Sequence, residues 1–208
     1  MASFLEIHPD NPQPRLINQV ADQVRRGAVI IYPTDSCYAL GCHLGDKAAA
    51  ERLRRIRQFD KHHLFTLVCR DLSDLATYAR VDNAQYRLLK TMTPGPFTFI
   101  LKATKQAPRR LLHEKRQTIG LRVPEHTLTQ HLLAALGEPL LSCTLQLPGE
   151  DQPITDIHEV RERLDHAVDV MVSGGDCGLE PTTVINLVED VPELVRQGKG
   201  DASWLFDD

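Results

Sequence analysis

Short apolar runs alternate with amphipathic helical segments along nearly all of this chain, and that alternation restricts it to an α/β fold. Ala28–Tyr32 is such a run, broken by Pro33, and it reads as a strand. Leu64–Cys69, Phe97–Lys102, Thr118–Val123, Pro139–Leu145, Val168–Val172, Val184–Val188 and Glu193–Arg196 read the same way. Between the first of these and the N-terminus, Leu16, Ile17, Val20, Ala21 and Val24 follow helical spacing, with Asn11 as its cap and Gly27 as its stop. Further helices fit Asp46–Gln58, capped by Asp46, then Asp71–Tyr78, Asn83–Met92, Leu128–Leu136 and Ile157–Leu164. An α/β sandwich or an open sheet satisfies this order, and ligands in such folds commonly bind near strand ends.

The 208 residues suit one large domain, 1–208, and would cramp a second. No apolar run approaches the roughly 20 residues that cross a bilayer, so no membrane association is expected. Met1-Ala2-Ser3-Phe4-Leu5-Glu6 lacks a basic region followed by an apolar stretch, which predicts no secretory leader. The five cysteines, Cys37, Cys42, Cys69, Cys143 and Cys177, are scattered and form no CxxC pair. They predict neither a protein-held metal nor a disulfide framework, but small buried side chains in a cytoplasmic protein.

The net charge of −4 conceals an asymmetry. Residues 51–63 and 102–122 hold twelve of the 24 Lys and Arg against three acids. Cations gathered within an acidic chain point to a local anion site, although solvated helix faces produce the same pattern.

No Walker, GxGxxG, HExxH or GxSxG motif occurs, which removes the usual NTPase, dehydrogenase and hydrolase readings. Four segments remain. Tyr32-Pro33-Thr34-Asp35-Ser36-Cys37-Tyr38-Ala39-Leu40-Gly41-Cys42 leaves a buried strand with hydroxyls and a carboxylate that suit either a polar ligand or a capped turn. Arg55-Ile56-Arg57-Gln58-Phe59-Asp60-Lys61 ends a helix with cations that complement its dipole or donate to phosphate oxygens. Thr118-Ile119-Gly120-Leu121-Arg122 places an arginine in an apolar strand, where it is either paired or awaiting an anion. In the partner run Leu141-Ser142-Cys143-Thr144-Leu145-Gln146, Ser142 and Thr144 share one face. The fourth segment joins Gly174-Gly175-Asp176-Cys177-Gly178 to Pro181-Thr182-Thr183-Val184-Ile185-Asn186 and Arg196-Gln197-Gly198, whose glycines suit a close ligand or an ordinary turn.

Taken in order, PTDSCYALGC, RIRQFDK, TPGPFTFILKA, TIGLRVP, LLSCTLQLPG and PTTVINL with Arg196 resemble the YrdC/YciO family from about Arg15 to Gly198, nearest its YciO branch. The resemblance implies a twisted open mixed sheet flanked by helices around a positively charged cavity. It implies the reaction of threonine, bicarbonate and ATP, with Mg²⁺ on the nucleotide, to threonylcarbamoyl-AMP and pyrophosphate, a step toward a tRNA anticodon-loop modification. By position, Arg55, Arg57, Lys61, Thr118, Ser142, Thr144 and Arg196 would hold ATP. Thr34, Arg122, and Thr182 or Thr183 would hold threonine. The same resemblance implies an alternative, non-catalytic binding of double-stranded RNA or tRNA by the two basic segments, and a different nucleotide-dependent enzyme is a third reading of the scaffold. The chain departs from the synthase pattern lysine-x-arginine-proline at Arg55 and Gln58, and from serine-threonine-serine-alanine-asparagine at Cys143, Thr144, Leu145 and Gln146. Leu145 and Gln146 are therefore expected to crowd or re-aim the nucleotide-binding strand.

Overall fold

The computed structural model describes residues 1–60, 64–113, 115 and 117–206. Its strands are β1 (Ser3–Glu6), β2 (Ile30–Tyr32), β3 (Ala39–His43), β4 (Thr66–Val68), β5 (Phe97–Lys102), β6 (Thr118–Arg122), β7 (Leu140–Thr144), β8 (Val170–Ser173), β9 (Thr183–Asn186) and β10 (Glu193–Arg196). They form one open, twisted, mixed sheet in the order β1-β8-β2-β3-β7-β4-β6-β5-β9-β10. The pairs β1–β8, β8–β2, β4–β6 and β5–β9 are parallel, and the others are antiparallel.

The helices are α1 (Pro14–Arg25), α2 (Lys47–Arg57), α3 (Leu72–Tyr78), α4 (Asn83–Met92), α5 (Thr127–Leu136), α6 (Ile157–Leu164) and the short α7 (Ser203–Phe206). Asp46 caps α2 through Ala49 N–H at 2.9 Å. Asp82 and Gln85 form a reciprocal capping box on α4, which satisfies two of its orphan donors. The start of α1 differs from expectation. Gln13 is its N-cap with no side-chain cap, because Pro14 opens the helix and needs no donor partner there; Asn11 lies too far upstream. Two strands were illegible as separate elements. β1 is only four residues long and mostly half-buried, and β3 sits inside the segment that reads as a polar turn.

Strand alternation sorts side chains onto two faces. Val29, Ile31, Leu40 and Cys42 join the larger apolar cluster, whereas Ile30, Tyr32 and Ala39 join a second one with α1 and α5. The α1–α5 layer covers only part of its face. Along β7 that face carries Leu140, under the helices, and then Ser142 and Thr144, which line open space. The bare continuation of this face is the cavity.

Candidate functional site

A cavity of about 830 Å³ lies on that uncovered face. Its floor is one side of five strands: Thr66 and Val68 of β4, Thr98, Ile100 and Lys102 of β5, Thr118, Gly120 and Arg122 of β6, Ser142 and Thr144 of β7, and Val184 and Asn186 of β9. The intervening Leu67, Phe99, Leu101, Leu121 and Ile185 face the opposite core. Period-2 alternation thus builds a polar floor and an apolar underside from the same strands. The charged residues that line the space are Arg57, Lys102, Arg122 and Arg196, with Glu189 and Glu193 toward β10.

One wall is the turn after β2. The Thr34 hydroxyl donates to the Cys37 carbonyl (2.6 Å) and accepts from the N–H groups of Ser36 and Cys37 (3.2 Å each). Thr34 therefore builds the turn as well as lining the cavity. Asp35 accepts from Arg122 and, through its other oxygen, from Glu125 N–H at 2.8 Å. Ser36 Oγ accepts a second bond from Arg122 at 3.2 Å. Arg122 is thus paired, yet its Nε is buried without a partner in a side chain that lines the cavity. Lys199 Nζ donates to the Asp35 carbonyl and ties the C-terminal segment to this turn. Burial pushes the Cys37 thiol up to about 11, so it is protonated near neutral pH.

A second wall is the end of α2. Arg57 lines the cavity, whereas Arg55 is exposed and does not. The reason is helical geometry, since residues two apart lie about 200° apart around the axis. Gln58 follows in the left-handed region, at φ 50° and ψ 36°, and returns Phe59 beneath the Arg57 guanidinium, 4.6 Å from the ring centroid. Lys61 lies outside the described residues.

On β7, Ser142 Oγ donates to the Leu40 carbonyl (2.9 Å) and stands 2.7 Å from the Tyr32 hydroxyl. The Tyr32 ring crosses Gly41 to get there; a Cβ on Gly41 would lie 2.8 Å from it. The expectation for Leu145 is corrected. Its side chain is wholly buried in the core cluster on the far face and cannot crowd the cavity. Gln146 does line the cavity, but its amide is turned back to the Glu150 carbonyl at 2.8 Å.

The third wall is the start of β9. Thr182 lines the cavity and is 2.8 Å from the Thr98 hydroxyl, and Arg196 donates to the Thr182 carbonyl at 2.8 Å. Thr183 is the next residue in the strand and faces away. Its hydroxyl donates to the Gly200 carbonyl (2.6 Å) and accepts from Gly198 N–H (3.0 Å). Of the pair Thr182 and Thr183, only Thr182 is available to a cavity ligand. Gly198 permits the close approach, because a Cβ there would lie 2.3 Å from the Pro181 oxygen.

The structure thus gathers Thr34, Arg57, Thr118, Arg122, Ser142, Thr144, Thr182 and Arg196 around one space, and leaves out Arg55 and Thr183. Sequence reasoning overlooked Ser36, Thr66, Thr98, Lys102, His113 and Asn186 as cavity residues. Thr98 and Lys102 were readable, since alternation along Phe97–Lys102 puts them on one face. Among the described residues no group of three or more His, Cys, Asp or Glu side chains could hold a metal ion. No helix among the described residues is long and apolar enough to cross a membrane.

Comparison with known proteins matches residues 22–198 to the Sua5/YciO/YrdC family model, described as "Telomere recombination". The chain is 58% identical to the uncharacterized protein YciO of Escherichia coli K12 over 97% of its own length and 98% of the relative's. It superimposes on the E. coli YciO crystal structure with a TM-score of 0.93 over 97% of this chain and 98% of that one. It is 30% identical to a threonylcarbamoyl-AMP synthase of Vibrio vulnificus (strain YJ016), over 76% of this chain and 86% of that protein. P. abyssi Sua5, solved in complex with L-threonine, shares the fold with a TM-score of 0.85 at 23% identity, covering 94% of this chain and 57% of that one. On the matched residues and this likeness, the chain belongs to the Sua5/YciO/YrdC family.

Proposed function

We propose that this protein makes threonylcarbamoyl-AMP from threonine, bicarbonate and ATP. The observation that carries the reading is Arg57, a cavity guanidinium that forms no ion pair among the described residues and whose Nε is buried without a partner. A second guanidinium, Arg122, stands on the same cavity beside the hydroxyls of Thr34 and Ser36. Charge of this kind suits a triphosphate, and hydroxyls beside a paired arginine suit an amino acid.

In the reaction, the threonine amine and bicarbonate combine to a carbamate with loss of water. A carbamate oxygen then attacks the α-phosphorus, and pyrophosphate leaves. No covalent nucleophile on the protein is needed, only alignment and neutralisation of developing charge. Arg57, Lys102 and Arg196 would stabilise the phosphates, Thr118 and Thr144 would orient the nucleotide, and Arg122 with Thr34 and Thr182 would place threonine. Cys37 and Cys143, both protonated near neutral pH, take no part as thiolates. Mg²⁺ would arrive on the triphosphate and add to its neutralisation.

The test is to supply ATP, threonine, bicarbonate and Mg²⁺, and to follow pyrophosphate together with the adenylate by mass. The expected product depends on both threonine and bicarbonate, and Arg57→Ala loses it. A protein that binds ATP and forms no adenylate is not a synthase.

A second reading is favoured by one surface. Lys105, Arg109 and Lys115 are exposed on the connection between β5 and β6, next to the cavity residues Lys102 and His113. They suit the backbone of double-stranded RNA or of tRNA. In the other basic segment, Arg52 is held by Asp169 at 2.6 Å and Arg54 lies over the Phe65 ring, so these two contribute to structure. RNA affinity that falls steeply with salt supports this reading, and no binding at low salt removes it.

A further inference from the structure

The fold accounts for every glycine of this chain but one. Of the twelve, Gly27, Gly137, Gly149 and Gly175 have positive φ, where a side chain is strained. At Gly41, Gly45, Gly95, Gly174, Gly178, Gly198 and Gly200 an added Cβ would fall within 3.0 Å of a neighbouring atom. The exception is Gly120 of β6. Its φ is not positive, and among the described residues a Cβ there would meet only ordinary contacts. These are Thr66 Oγ1 at 3.5 Å, Thr98 Cγ2 at 3.7 Å and the Phe65 carbonyl oxygen at 4.0 Å.

A glycine inside a strand weakens it, and where one occurs it marks a bulge, a closely approaching backbone or a closely approaching ligand. There is no bulge here, since Gly120 pairs in unbroken register with Thr66 of β4 and Ile100 of β5. Nor does a backbone press on it, because the Phe65 oxygen stays 4.0 Å from where a Cβ would lie. The open side is the cavity. Gly120 lines it and is the one half-buried residue of a strand that is otherwise buried. The missing side chain leaves a hollow in the cavity floor.

The hollow lies in an uncharged row. Ser142, Thr66, Gly120, Ile100 and Asn186 stand in register across β7, β4, β6, β5 and β9. The cations of the floor lie to either side of this row. Arg122 is two residues along β6 in one direction, and Thr118, paired with Lys102, is two residues along in the other. Each of these steps spans roughly 7 Å. A ligand that engages both ends has to cross the backbone at Gly120.

We propose that Gly120 is a specificity-determining residue whose bare backbone receives the middle of a two-ended ligand. That middle is the carbamoyl group joined to the α-phosphate, with the amino-acid carboxylate toward Arg122 and the nucleotide toward Thr118 and Lys102. The inference rests on the function proposed above and adds where on the floor the new bond forms. A methyl group at this position projects into the space that the junction needs, while each separate end still fits.

The experiment compares wild type with Gly120→Ala in the full chain, by thermal unfolding and by calorimetric titration. The titrants are threonine, inorganic tripolyphosphate, and a stable two-ended probe. The probe is adenosine linked at O5′ through a sulfamoyl-carbonyl group to the amine of threonine, which leaves the carboxylate free. Gly120→Ala should leave Tm unchanged or raise it by about 1–4 °C, because alanine restricts the unfolded chain and meets no clash. It should weaken the two-ended probe by about 10- to 100-fold, with threonine and tripolyphosphate held within about threefold of wild type. Stability kept while only the two-ended ligand is lost is a result that a structural glycine does not give. A variant that fails to fold, or melts lower and weakens all three titrants together, makes the glycine structural and overturns the proposal. Equal affinity of both proteins for the probe overturns it too, and leaves the synthase reading standing if wild type releases pyrophosphate with threonine and bicarbonate. A wild-type protein that takes up no probe also overturns it. Selective loss of the probe in Gly120→Ala, in a protein that releases no pyrophosphate, supports the placement and removes the synthase reading alone.

Discussion

Asp35 and Arg122 form an ion pair within the cavity wall, their side chains only 8% and 9% exposed. The pair closes the turn after β2 onto the end of β6, because the second Asp35 oxygen also accepts from Glu125 N–H. Removing one member of such a pair strands a charge, whereas removing both with apolar replacement does not. Asp35→Ala should therefore lower stability by about 3–5 kcal/mol, and Asp35→Ala with Arg122→Met should recover most of that loss. Urea unfolding of the two variants checks it, and equal losses in both would show that the pair is not coupled.

Gln58 adopts φ 50° at the end of α2 and donates its N–H back toward the last turn of the helix. Proline can do neither, since its ring holds φ near −65° and it has no N–H. Gln58→Pro should cost about 3 kcal/mol or more and disturb the placement of Phe59 and Arg57. Gln58→Gly should instead stabilise by up to about 1 kcal/mol, because glycine enters the left-handed region without a Cβ penalty. Thermal unfolding distinguishes the two signs.

Thr182 and Thr183 are adjacent, yet their hydroxyls serve opposite faces of β9. Thr183→Val strands the Gly198 N–H, while the Gly200 carbonyl keeps only Gln197 Nε2 at 2.9 Å, and should cost about 1–3 kcal/mol of stability. Thr182→Val should cost less stability and weaken threonine binding, as measured by calorimetry. A larger threonine-binding defect in Thr183→Val would reverse the assignment.

Asp71 caps α3 by accepting from Asp74 N–H at 2.9 Å, and that bond, aided by Arg70, holds its pKa below the usual carboxylate value. A carboxyl depressed in the folded state contributes stability above its unfolded pKa and loses it as pH falls through the folded value. Asp71→Ala should cost about 1 kcal/mol near neutral pH, and the difference from wild type should narrow below about pH 4. Denaturation curves at pH 7 and pH 3 check the sign. A gap that is constant across this range would exclude the charged cap.

The residues that line the cavity were legible wherever a local rule reached them. Arg122 stands out as a cation in an apolar strand, and Ser142 and Thr144 share a face by alternation alone. Which of the Thr182–Thr183 pair faces the cavity was not legible, because the choice depends on where β9 enters beside β5. Nor was the orientation of Leu145 legible, since its residue type fits a core or a crowded cleft equally well. That Arg55 lies outside the cavity lining was not legible for a different reason. Charge and position at the helix end suited a phosphate contact, but only the helix rotation decides which of Arg55 and Arg57 turns inward.

By itself the sequence determined the alternation of strands and helices, the cap at Asp46, and the ordered motifs that mark the family. These follow from local propensity, periodicity and hydrogen bonding within a few residues of chain. Only the tertiary structure decided that the α1–α5 layer stops short along β7 and leaves a polar floor bare. The pairing of Arg122 with Asp35 and the contact between the Tyr32 and Ser142 hydroxyls also arose only there. Both join groups distant in sequence, and their partners are chosen by sheet order and register, which no local pattern encodes.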